Sequence, residues 1–261
     1  MIRLVEFWRS CDFDQPPYVH GDDLLYIDDA TNMGDVAVVL RNHREFVEHR
    51  TFGEEKDTLL HLGLLPFPIQ GNLFQADIFI LMLNPGLGLC DYQTQEDAGH
   101  AEQVRLIIKQ EFANVEYPFL SLNPDYAWTG GFQWWEKKLR EVIKRVAIDY
   151  CEGNYAASLR LLSQRLAAIE IFPYHSRKFK ANSLISRLPS ALEAKEFVQS
   201  LLPRAQRGEI TIVVSRGIDF LGIGDHDFVN YNHKLRRAAP LGLKTPGGSA
   251  IIEALKQRPP H

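Results

Sequence analysis

The sequence predicts an α/β protein built on a parallel sheet with helices on both faces. Three apolar segments carry that prediction: Ile78 to Leu83, Ala168 to Phe172 and Ile210 to Val214. Each is too short and, Glu170 and Thr211 apart, too apolar to be a half-exposed strand, which suits strands covered on both sides. Amphipathic stretches separate them, as crossover helices separate parallel strands. Each segment also breaks into polar or turn residues: Asn84-Pro85-Gly86, Pro173-Tyr174-His175-Ser176 and Ser215-Arg216-Gly217. Such strand ends converge on one edge of an open α/β sheet, where ligands gather.

Taken in order, the first seventy-odd residues mix acidic turns such as Gly21-Asp22-Asp23 with a strand at Asp35 to Leu40 and a helical stretch around Asn42 to His49. They read as a peripheral layer. Pro66, Pro68 and Gly71 then delay the chain before the Ile78 segment. From Ala101 to Phe112, Val104, Ile107, Ile108 and Phe112 recur at helical spacing, leaving Arg105, Lys109 and Glu111 for solvent. A long loop rich in aromatics follows, YPFLSLNPDYAWTGGFQWW, then helices from Trp135 to Val146 and from Tyr155 to Ala167. Helix Leu192 to Leu202 leads through Gly208 to the β-branched strand ending at Val214, and a weaker strand is read at Asp227 to Tyr231. Ser249 is placed as the cap of a last helix, Ala250 to Lys256.

With 261 residues, 45% of them apolar, the chain can bury a sizeable core in one large domain bearing an N-terminal elaboration. A net charge of −4 rules out a basic nucleic-acid coat and directs attention to local basic patches. Three widely spaced cysteines, Cys11, Cys90 and Cys151, with no CxxC or CxxH pairing, fit a reducing, cytoplasmic setting without structural zinc. The stretch MIRLVEFWRSCDFDQ lacks the apolar core of a signal peptide, and no apolar run approaches the ~20 residues of a membrane helix, so an unexported protein is expected. The motifs of nucleoside triphosphatases, dinucleotide enzymes and serine hydrolases are absent, as is any metal-ligand spacing, so no metal and no cofactor are expected.

The residues that remain for chemistry are few. Asn84 opens its turn with a carboxamide that can orient water or pair with a nucleobase edge; alternatively Asn84-Pro85-Gly86 only terminates a strand. His175 at the next strand end can read a pyrimidine carbonyl, held by Tyr174 or Ser176, or bond a loop carbonyl. Arg216 occupies the corresponding place on the third strand and suits a phosphate or a structural carboxylate. Trp128, Phe132, Trp134 and Trp135 form either a base-stacking platform or core, with Thr129-Gly130-Gly131 permitting close approach. Lys234, Arg236 and Arg237, with Arg177, Lys178 and Lys180, are the dense basic patches available to a nucleic-acid backbone.

The strand-to-turn run LMLNPG at Leu81 to Gly86 resembles the first motif of the uracil-DNA glycosylase superfamily. That resemblance implies a three-layer α/β/α sandwich with a four-stranded, mostly parallel sheet over residues 76–261, and residues 1–75 as an extension packed on it. It implies Asn84 as the water-positioning residue, Pro85 and Gly86 in the base-binding turn, and a downstream aromatic, Tyr92 or Trp128, stacked on the base. The family's late His-Pro-Ser-Pro motif is missing, and His233 is the nearest substitute. Two functions follow as expectations: N-glycosidic hydrolysis of a damaged or modified base in DNA repair, or a non-catalytic nucleobase- or nucleic-acid-binding protein that keeps the fold.

Overall fold

The computed structural model describes residues 2–29, 36–113, 115–216, 218–231 and 241–259. In chain order the elements are α1 (Arg3–Arg9), α2 (Gly21–Asp29), β1 (Ala37–Val38), α3 (His43–Glu48), β2 (Leu60–His61), β3 (Ile69–Gln70), β4 (Ile78–Met82), α4 (Asp91–Glu96) and α5 (Ala98–Lys109). They continue with α6 (Gly130–Tyr150), α7 (Tyr155–Arg165), β5 (Leu166–Glu170), α8 (Asn182–Ile185), α9 (Pro189–Gln206), β6 (Thr211–Val214), α10 (Ile218–Leu221), β7 (Val229–Tyr231) and α11 (Pro246–Gln257). The chain divides into two compact units, each assembled from three stretches. Met1–Ile69, Leu83–Glu111 and Glu170–Phe197 form the first, and Gln70–Met82, Phe112–Ile169 and Val198–His261 the second. The protein is thus an α/β protein, and no described helix is long and apolar enough to cross a membrane.

The main sheet has five strands in the order β3-β5-β4-β6-β7, where the resemblance implied four. Pairing is parallel between β4 and β6, with Ile78 opposite Thr211, and between β6 and β7, with Ile212 opposite Val229. Asp77 N donates to Arg165 O ahead of β4 and β5, and Phe172 N to Leu83 O beyond them, so these two strands also run parallel. The additional strand, β3, has two residues, too few for a period to be read from sequence. After β4 the chain pairs β5 on one side and then returns to the other side with β6, making β4 the strand at which the order reverses.

In the second unit, Ile78, Ile80 and Met82 share one face of β4 and pack in a core with Ala168 and Val213. Leu139, Val142, Ile143 and Val146 of α6, Leu159 and Leu162 of α7, and Ile251, Ile252 and Leu255 of α11 complete it. Both the end of helix α7 and the start of strand β5 sit slightly earlier than the sequence suggests. Leu166 turns extended (φ −91°, ψ 141°) directly after Arg165, so helix passes into strand with no loop residue to mark the change. Ser249 does not cap α11; Thr245 does, accepting from Gly248 N at 3.1 Å, and Ser249 Oγ donates instead to Leu243 O.

At the amino end of β4, Asp77 is gripped by two arginines. Arg165 donates Nε to Oδ1 at 2.7 Å and Nη2 to Oδ2 at 2.6 Å, while Arg258 Nε donates to Oδ2 at 2.7 Å. Arg258 also donates to Gly208 O and Thr211 Oγ1. One carboxylate therefore ties together the segments that lead into β4, end α7, precede β6 and follow α11.

In the first unit, α1 packs on α5, and Arg9 Nε donates to Lys109 O. Asn42 caps α3 through Glu45 N, and Glu45 accepts from Arg41 N in return, a reciprocal arrangement that satisfies two free amides. Parallel β1 and β2 pair Ala37 with Leu60. The chain after β2 passes so close to Leu40 that a Cβ on Gly63 would lie 1.7 Å from Leu40 O. Gly63→Ala is therefore expected to lower stability by about 1–3 kcal/mol or more, the usual cost of overpacking, read as a lower denaturant midpoint at unchanged slope.

His100, in the first turn of α5, gives a pH-dependent expectation. Burial depresses its pKa from 6.5 to about 4, more than the nearby Asp97 raises it. Between those values the unfolded chain binds a proton that the folded chain does not. Stability is complete above pH 6.5 and falls as pH drops toward about 4. Thermal midpoints of His100→Gln should decline less steeply than wild type through that window; equal slopes would show that His100 does not carry this acid dependence.

Candidate functional site

Strand β4 runs directly into Leu83-Asn84-Pro85-Gly86, and in open α/β sheets the carboxyl end of the strand where the order reverses is the usual ligand position. In the first unit, Asn84 Nδ2 donates to Pro85 O at 2.8 Å and to Ser176 Oγ at 3.1 Å. A carbonyl oxygen can only accept, so this contact fixes which end of the carboxamide is nitrogen. Asn84 is half-buried, and no described residue donates to its Oδ1. The side chain is thus held by its donor end with its acceptor end open. Ser176 is buried, and Gly86 is exposed.

The turn continues through Gly88, whose N donates to Asp91 Oδ2 at 2.6 Å. A Cβ at Gly88 would meet Asp91 Oδ1 at 2.9 Å, so the absence of a side chain lets the loop close onto the start of α4. His175 lies half-buried beside the turn with Nδ1 2.8 Å from Gly86 O and Nε2 3.1 Å from Leu65 O. Both ring nitrogens face backbone carbonyls, which leaves neither for a base edge and corrects the reading of His175 as a base-contacting catalytic group.

Tyr92 and Tyr174 are corrected in the same way. Tyr92 is 1% exposed, packed against Phe46 at 4.8 Å between ring centroids, and its hydroxyl meets His61 Nδ1 at 3.1 Å. It is a core residue and offers no ring face to a base. His61 Nε2 in turn meets Asp57 Oδ2 at 2.9 Å. Burial holds the His61 imidazole below its ordinary range, outweighing the upward pull of Asp57, and pushes the Tyr92 hydroxyl up. Tyr174 is fully buried, donating to Asp23 Oδ2 at 2.6 Å, while Ser190 N donates to Asp23 Oδ1 at 2.9 Å. Asp23 so joins α2, the Tyr174 loop and the first turn of α9, with burial raising its carboxyl against those hydrogen bonds. These two buried networks escape sequence reading because their members are up to 167 positions apart; the i, i+4 pair Asp57 and His61 is a local signal for one of them.

In the second unit the aromatic cluster splits between surface and core. Trp128 is 45% exposed and Trp134 is 41% exposed. Phe132 and Trp135 are buried, Trp135 edge-on to Phe119 at 4.9 Å. Thr129 caps α6 by accepting from Phe132 N, which aligns this cluster at the start of a 21-residue helix. Lys138 Nζ sits 5.1 Å from the centre of the Trp134 ring. Burial, then the charges of Arg216 and Lys137, lower the Lys138 ammonium below its ordinary range. Arg216 is exposed just past β6, its N donating to Leu81 O. His233, Lys234, Arg236 and Arg237 lie outside the described residues.

Among the described residues no group of three or more His, Cys, Asp or Glu side chains is arranged to hold a metal ion. Fold and turn together define an α/β protein with a polar strand-end turn. Comparison of the chain with protein-family models, curated proteins and solved structures finds no match.

Proposed function

We propose that the protein recognises a nucleobase at the Asn84 turn and hydrolyses its N-glycosidic bond, in the manner of a uracil-DNA glycosylase acting on damaged or modified DNA in a cytoplasmic setting. The supporting observation is the carboxamide of Asn84, anchored through Nδ2 and open at Oδ1. In this reading Oδ1 accepts a hydrogen bond from water and so aims the water's lone pair at the anomeric carbon. The carbon–oxygen bond forms as the carbon–nitrogen bond breaks, and the base leaves with the bonding electrons. An amide is not a proton acceptor at neutral pH, so the water's proton passes to solvent and the departing base is protonated in turn. With Gly88 N held by Asp91, the backbone N–H groups of Gly86 and Leu87 would stabilise its charge. The three-layer sandwich with residues 1–75 as its covering extension belongs to the same proposal.

The second reading, a binding protein without hydrolysis, is favoured by the commitment of His175 to two backbone carbonyls. Labelled single- and double-stranded oligonucleotides containing uracil, hypoxanthine or oxidised bases, assayed for abasic sites, test the first reading. Release of base is expected from at least one; retention of every base together with saturable binding would support the second.

A further inference from the structure

We infer that His175 is a positioning residue for Asn84, holding the turn from behind so that the carboxamide keeps Oδ1 outward. The inference rests on Asn84 being the working group of the site. Its mount is rigid. Phe67 N donates to Pro173 O at 2.8 Å, His61 N to His175 O at 2.9 Å and Lys178 N to Asp57 O at 2.9 Å, which stitches the backbone on both sides of His175 to the 57–67 segment. The His61 end of that segment is itself fixed by Asp57 and Tyr92 in the buried core.

From this mount the ring reaches the turn. Nδ1 lies 2.8 Å from Gly86 O and Nε2 3.1 Å from Leu65 O; a carbonyl only accepts, and the ring N–H is given to the shorter contact. The remaining ties to the turn from this loop come from Ser176: its hydroxyl to Asn84 Nδ2 at 3.1 Å, and its N to Pro85 O at 3.5 Å, the longest separation of the set. The imidazole bond is the shortest of the three and acts two residues from Asn84. Losing it frees Gly86, and with it the Pro85 carbonyl against which Asn84 Nδ2 is oriented.

Nuclear magnetic resonance on the full chain, without ligand, provides the test. The Asn84 carboxamide protons, identified by their disappearance in Asn84→Ala, should exchange slowly in wild type and about tenfold faster in His175→Ala. His175→Gln, whose amide can donate to Gly86 O, should recover most of that protection; a role confined to overall stability would leave Asn84 exchange tracking the melting temperature alone. Unchanged Asn84 exchange in His175→Ala overturns the inference. Should that variant not fold, the wild-type ring spectrum decides: a protonated Nδ1 is expected, and an unprotonated Nδ1 contradicts the assignment. These readouts need no turnover, so negative oligonucleotide assays would count against the functional proposal and leave the positioning role to be judged separately. Where base release is found, His175→Ala should lower kcat by about tenfold or more with little change in KM.

Discussion

Asn84→Ala is expected to reduce base release by about 10²–10³-fold while leaving the fold intact, since one preorganised polar group at a reacting centre is commonly worth that much. The stability change should stay near 1 kcal/mol, roughly the net worth of the hydrogen bonds removed from a half-buried turn. Nothing in the core depends on the carboxamide: its partners are Pro85 O and Ser176 Oγ, both in loops. Ser176→Ala provides the graded control. Pro85 O still orients Nδ2 in that variant, so the loss should be smaller, about tenfold or less. Abasic-site assays beside denaturant curves check both; equal activity in Asn84→Ala and wild type would show that the turn only ends a strand.

The largest expected effect on stability comes from the opposite end of the same strand. Asp77→Ala is expected to destabilise by about 3–5 kcal/mol, the cost of leaving partly buried charges without their partner. The side chains of Asp77, Arg165 and Arg258 are 16%, 16% and 24% exposed, so little solvent reaches them. Burial pushes the Asp77 carboxyl up, but the hydrogen bonds and charges of Arg165 and Arg258 outweigh it and hold the group below 3.8. The sign follows: stability from Asp77 is complete above pH 3.8 and is lost as pH falls through the lower, folded value. Denaturant midpoints of wild type and variant should therefore converge in strong acid. A difference below about 1 kcal/mol at neutral pH would mean that the clasp behaves as an ordinary surface pair.

These two ends of one strand also differ in how far the chain announces them. β4 and β6 are visible as apolar, β-branched runs because both faces are buried, and α5, α6 and α11 because their apolar positions follow a helical period. Asn84 is legible because it opens the turn with one residue between it and β4. Tyr92 and Tyr174 are not, since burial depends on where Phe46 and Asp23 arrive from distant segments. His175 is found at the right place, with the loop-carbonyl bond left open beside the base-edge reading, because position after a strand says nothing of which carbonyls surround a ring. Trp134 separates from Phe132 and Trp135 only once the helix α6 assigns each a face, and Trp128 precedes that helix altogether. The interleaving of the two compact units has no sequence marker either, because the division falls within strand-to-loop passages such as Met82 to Leu83.

Everything proposed for the site turns on Asn84 meeting a nucleobase or its attacking water through an open Oδ1. The decisive experiment is a titration of isotope-labelled protein with single-stranded oligonucleotides carrying uracil, hypoxanthine or an oxidised base, followed at the Asn84 carboxamide. Saturable shifts of the Asn84 Nδ2 and the Gly86 and Gly88 amide resonances are expected with at least one of these bases. Resonances of Asn84 and its turn that stay fixed throughout, while binding is registered elsewhere or not at all, would rule out a working role for the carboxamide.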